Sequence, residues 1–142
     1  MVSQQISEII STHLHPIAER FDLELVRTSG RSFQMQGESL DINIFVQGNF
    51  SYGLNISMTS KIKHLQHLQT HRGLHWFVRF FNIEEPVPRR VVNIDDLRFV
   101  SLSYRNILTK VLSLISSDDG TLWAEFYHFV NRGLKLTTTG IR

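Results

Sequence analysis

"LDINIFVQGNFSYGLNISMT", residues 40–59, decides the fold. Leu40, Ile42, Ile44 and Val46 alternate with Asp41, Asn43 and Gln47, and Phe50, Tyr52, Leu54, Ile56 and Met58 alternate with Ser51, Gly53, Asn55, Ser57 and Thr59. Successive side chains of a strand point to opposite faces, so this pattern predicts two strands, each with one dry and one wet face. Gly48 and Asn49 both tolerate positive φ and predict a two-residue hairpin turn between them.

Upstream, Ser29-Gly30 and Gly37-Glu38 punctuate two shorter candidates, around Leu23–Thr28 and Arg31–Gln36. Residues 23–59 are therefore expected to form a four-stranded antiparallel meander. Before it, Val2, Ile6, Ile9, Ile10, Ile17 and Phe21 recur at helical spacing, with Pro16 either ending the helix near Leu14 or kinking it.

Downstream, Ser60 offers an N-cap for a helix over 61–72, and Gly73 offers its stop. In "LHWFVRFFNI" aromatic and branched residues occupy both parities, which predicts a strand over 74–81. "EEPVPRR" is expected to be a loop, because two closely spaced prolines continue neither element. Residues 94–120 predict the longest helix, capped by Asp95 or Asp96, with Leu97, Val100, Tyr104, Ile107, Leu108, Val111 and Ile115 as its buried stripe. A last helix over 121–133 buries Leu122, Phe126, Phe129 and Val130, with Gly133 as stop and a frayed polar tail. The sum is one α+β domain over 1–142: a four-stranded meander plus one further strand, packed by N-terminal, middle and C-terminal helices.

The composition suits such a core. The chain has 142 residues, 42% hydrophobic and 20% charged, with ten phenylalanines and no cysteine. The absence of cysteine excludes disulfides, thiolate zinc sites and cysteine nucleophiles. No signal peptide or bilayer-length apolar run is visible, so a soluble, cytoplasmic protein without membrane partners is expected. No phosphate-cradling glycine motif occurs. "GNFSYG" is spaced wrongly for a nucleophile elbow and lies in a hairpin, not at a strand-to-helix turn. The adjacent carboxylate pairs Asp95/Asp96 and Asp118/Asp119 read as caps and turn formers.

One local bias remains. His64, His67, His71 and His75 would fall within an arc of about 80° on a helix. No cysteine or H-E-x-x-H accompanies them, so no metal or cofactor is expected. A pH switch is a second reading, opposed by the surrounding cations Lys61, Lys63, Arg72 and Arg79. Between 60 and 90 six basic residues meet only Glu84 and Glu85, whereas elsewhere acids outnumber bases, eleven to nine. The contact surface is accordingly expected at Lys61, Lys63, His64, His67, His71, Arg72, Arg89 and Arg90.

The element order is similar, at the level of fold alone, to that of small proteins that bind one protein partner, such as toxin-immunity proteins and secretion chaperones. The reading is a non-enzymatic binding or inhibitor module with one acidic protein partner. The alternatives are a nucleic-acid-binding protein using the same residues, and an enzyme or ligand-binding protein with a pocket between sheet and helices. Edge-to-edge pairing of the long hairpin would make a homodimer.

Overall fold

The computed structural model describes residues 2–48, 51–62, 71–116 and 120–139. A five-stranded antiparallel sheet runs in the order β1 (Glu24–Arg27), β2 (Ser32–Gln36), β3 (Leu40–Gly48), β4 (Tyr52–Ser60) and β5 (His71–Gly73). Among the described residues four α-helices accompany it: α1 (Val2–Arg20), α2 (Leu74–Phe80), α3 (Leu97–Ile115) and α4 (Thr121–Thr139). The α+β architecture and the four-stranded meander are as the alternation predicts.

The register shows why the alternation was decisive. Ile42 pairs with Met58, Ile44 with Ile56 and Val46 with Leu54, while Phe33 and Met35 of β2 face Ile44 and Ile42. All eight of these side chains are buried. They form one core with Ile6, Ile10, Leu14 and Ile17 of α1 and with the whole predicted stripe of α3. The hairpin turn departs from expectation. Gly48 belongs to β3 and pairs with Tyr52, while Asn49 lies outside the described residues. The sheet's outer strands are β1 and β5, and β5 pairs only with Ser57–Thr59 of β4.

The segment around Gly73 reverses the expected assignment. His71 and Arg72 pair with Thr59 and Met58 as strand β5, and Leu74–Phe80 is the helix α2. Residues 63–70 of the predicted middle helix lie outside the described residues. Aromatics on both parities suited a strand, but Leu74, Phe77, Val78 and Phe81 also repeat at i, i+3, i+4 and i+7. Helix won because α2 packs against several elements: Phe77 stacks on Phe126 of α4 at 4.0 Å between ring centres and meets Trp123 edge-on at 5.6 Å. Ser60 ends β4, and its Oγ accepts from the Ile62 N–H at 3.2 Å; most of the helix it was expected to cap lies outside the described residues.

Helix ends follow one device twice. Asp22 and Asn82 adopt positive φ (56° and 52°). The Leu23 N–H donates to Ala18 O (2.7 Å), and the Ile83 N–H donates to Val78 O (3.0 Å). These bonds, with Asp22 N–H to Glu19 O and Asn82 N–H to Arg79 O, complete two Schellman caps built on polar residues in place of glycine.

Three further helix boundaries compare with expectation as follows. Helix α1 does not end near Leu14 but passes through Pro16, which forgoes the bond to Thr12 O on the exposed side of the helix. Asp96 does stand at the N-cap of α3 but makes no side-chain capping bond; the capping bond comes one 3₁₀ turn (Ile94–Asp96) earlier, where the Asn93 side chain accepts from the Asp95 N–H at 2.9 Å. Helix α4 does not stop at Gly133. That glycine seats the Trp76 ring, since a Cβ there would lie 2.8 Å from Trp76 Cζ3.

Candidate functional site

The second face of the sheet carries Glu24 and Val26 of β1, the even residues of β2, and the odd residues of β3 and β4. None of the side chains on this face is buried. Amides dominate its centre. Gln36 Nε2 donates to Gln34 Oε1 (2.7 Å), and Gln34 Nε2 donates to Asn43 Oδ1 (3.0 Å). Beside them Phe45, 46% exposed, pairs with Ser32 and Asn55 and borders an open hollow of ≈470 Å³.

The residues expected to make contact divide along β4. Lys61 stands at the far end of that strand, where its Nζ donates to Gly37 O (2.8 Å) and pairs with Asp41 Oδ1 (3.7 Å). Arg90 stands at the opposite end, donating from Nη2 to Ser51 O at 2.6 Å. At ~3.3 Å per residue the two ends are roughly 26 Å apart. In β5, His71 pairs with Thr59 and Arg72 pairs with Met58. Arg89 is exposed in the loop before Val91. Lys63, His64 and His67 lie outside the described residues.

Arg90 has a neighbour that the sequence did not single out. Arg31 and Arg90 line one hollow of ≈560 Å³ at the turn end of β3 and β4, together with Phe45, Gln47, Gly48 and Ser51. Two glycines near the turn are approached from opposite faces of the sheet, Gly48 from the core side and Gly53 from the second. A Cβ on Gly48 would stand 2.8 Å from Arg31 Nη1, and one on Gly53 would stand 2.8 Å from Arg90 Cγ. The loop carrying Arg90 is held to the hairpin by paired bonds between Tyr52 and Val91: Tyr52 N–H to Val91 O at 2.6 Å and Val91 N–H to Tyr52 O at 2.8 Å. A glycine inside a strand signals close approach of another group. Gly53 interrupts the otherwise side-chain-bearing alternation of β4, and this was the available clue to the site.

A smaller hollow of ≈260 Å³ lies at the β4 edge, lined by Leu54, Ile56, Leu74, His75 and Tyr104 among others. Burial, then the charge of Arg79, lowers the His75 pKa, and burial raises that of Tyr104. Both side chains are thereby biased toward their neutral forms. Among the described residues, no group of three His, Cys, Asp or Glu is placed to hold a metal ion, and no helix is long and apolar enough to cross a membrane. The chain matches no protein-family model, no curated protein and no solved structure.

Proposed function

We propose that this chain is a non-enzymatic protein-binding module of inhibitor, immunity-protein or chaperone type, which docks an acidic partner on the second face of its sheet. The observation that carries the reading is Phe45: a large ring, 46% exposed, at the centre of a face whose amides hold one another by hydrogen bonds. An aromatic anchor ringed by hydrogen-bonding side chains is what protein interfaces favour. Charge at the rim sets the sign of the partner. Arg90 lies over Gly53 at one end of the face, with Arg89 beside it in the exposed loop, whereas Asp41 at the other end is already engaged by Lys61.

Nucleic acid is the alternative partner. The separation of Lys61 from Arg90 along β4 favours a compact protein contact over a continuous phosphate track. Affinity capture from the source cell, followed by titration of the purified pair, tests the reading. One acidic partner at unit stoichiometry is expected, with affinity falling at least tenfold for both Phe45→Ala and Arg90→Glu. Replacing His64, His67 and His71 by glutamate measures whether the predicted row contributes. A partner whose affinity ignores Phe45→Ala and Arg90→Glu overturns the proposal. So does binding of nucleic acid with a steep salt dependence and no protein competitor.

A further inference from the structure

We propose that the open stretch of the β4 edge, between β5 and the Val91 bridge, is a binding site for a small uncharged planar ligand. The ligand presents a hydrogen-bond donor beside an acceptor, as a primary amide or an amino-substituted nitrogen heterocycle does. The inference is independent of the protein-partner reading, because it rests on the edge of the sheet and not on its second face.

The main chain sets the site. The N–H and C=O of a strand residue point to one side, and successive residues alternate. Tyr52 exchanges both bonds with Val91, away from β3, so the groups of Leu54 and Ile56 point the same way. Farther along, β5 resumes the pairing, with Gly73 opposite Ser57. Between these two blocks, no hydrogen bond among the described residues reaches Leu54 or Ile56 from that side. If the pairing at Val91 continued, Arg89 and Val87 would come opposite Leu54 and Ile56, yet the loop makes neither bond.

Leu54, Asn55 and Ile56 line the ≈260 Å³ hollow, whose other walls include Leu74, Val87 and Tyr104. Leu54 is 6% and Ile56 4% exposed, so their outward main-chain groups meet little bulk water. Unpaired main-chain groups under such cover are rare and costly, and a ligand that pairs them removes that penalty.

The chemistry of the ligand follows. Leu54 C=O and Ile56 N–H stand side by side across Asn55, an acceptor next to a donor, so the ligand supplies the reverse pair. Gly73 and Val91 close the edge at both ends, which leaves only Gly53 to Ile56 open and no room for a partner strand to run through. The hollow is smaller than a drug-sized site, and Leu74 and Val87 suit a flat ring. Its titratable residues are His75 and Tyr104; burial biases both toward their neutral forms, and Arg79 adds to the effect at His75. Nothing on these walls rewards a charge on the ligand.

Titration of the ¹⁵N-labelled full chain with benzamide and adenine, followed by NMR, tests this; acetophenone and purine, which lack the donor, are the controls. Saturable shifts are expected at Leu54 and Ile56, with the Ile56 amide proton moving downfield as it gains an acceptor. Acetophenone and purine should bind at least about threefold more weakly than benzamide and adenine. Val87→Trp, a change at a loop position 46% exposed, fills the hollow and weakens both ligands at least tenfold. No saturable shifts at millimolar ligand, equal affinity for benzamide and acetophenone, or undiminished binding in Val87→Trp overturns the proposal. So does tighter binding of the extended peptide acetyl-Val-Ala-Val amide than of either ligand, which would make the edge a strand-pairing site. Exchange protection of the Leu54 and Ile56 amides equal to that of Ile44 in the free chain also overturns it, because the edge would then already be paired.

Discussion

Ile44 and Phe45 are neighbours in the chain and live on opposite sides of the sheet. Ile44 is 1% exposed, facing Phe33 and Ile56, and it touches the common core; Phe45 is 46% exposed, facing Ser32 and Asn55. One face is held by close packing of aliphatic side chains with α1 and α3. The other is organised by hydrogen bonds between amides and by Arg90 resting on Gly53. The first face makes the domain stable, and the second is free to serve recognition, because its side chains are not needed to exclude water from the core.

The sharpest way to break this contrast is to truncate on each side. Trp123→Ala removes a fully buried ring packed against Phe77, Phe126 and Tyr127, and should cost about 3–5 kcal/mol in urea denaturation. Ile44→Ala should cost about 2–5 kcal/mol, whereas Phe45→Ala should stay within about 0.5 kcal/mol of the parent. If Phe45→Ala is as costly as Ile44→Ala, the second face is a core face and not a recognition surface.

A smaller effect tests the helix ends. Asn82 holds φ 52° to close α2, a conformation that a side chain without a local acceptor tolerates poorly. Asn82→Ala should destabilise by about 1–2 kcal/mol, and Asn82→Gly should not. Equal melting temperatures for the alanine and glycine variants would show that the left-handed cap is not what terminates α2.

The smallest effect is a pH dependence. His13 is lowered by burial, then by Arg105 and Arg98; His75 is lowered by burial, then by Arg79. Both folded-state values fall below the ordinary 6.5, so the unfolded chain binds the extra protons. Their contribution is fully present above that ordinary value and is lost as pH falls through the folded one. The melting temperature should therefore be lower at pH 5 than at pH 7.5. The double variant His13→Gln/His75→Gln should narrow the difference, and an unchanged difference would show that neither histidine carries it.

How much of this was legible followed from how local the cause was. The β3–β4 hairpin announced itself because period two over both strands has one physical meaning, a half-buried sheet. The stripe of α3 did likewise at period 3.6. Residues 71–81 resisted because their order is decided by contacts distant in sequence. Phe77 and Phe80 find Phe126 on α4, and an aromatic segment able to be strand or helix becomes helix where those rings stack. The ends of α1 and α2 carried a signal in Asp22 and Asn82 that a search for glycine stops passes over. Charge counting along the chain drew attention to Arg90 but not to Arg31, because the register of β3, and not proximity in sequence, brings them to one hollow.

The Tyr52–Val91 pair has a consequence for how the molecule breathes. A lone two-bond bridge, unlike a continuous ladder, opens without any neighbouring rung having to break. The loop that carries Arg90 thus has its own opening free energy, below that of the sheet it rests on. Amide exchange at Val91 should run faster than at Ile44, which exchanges at the global rate.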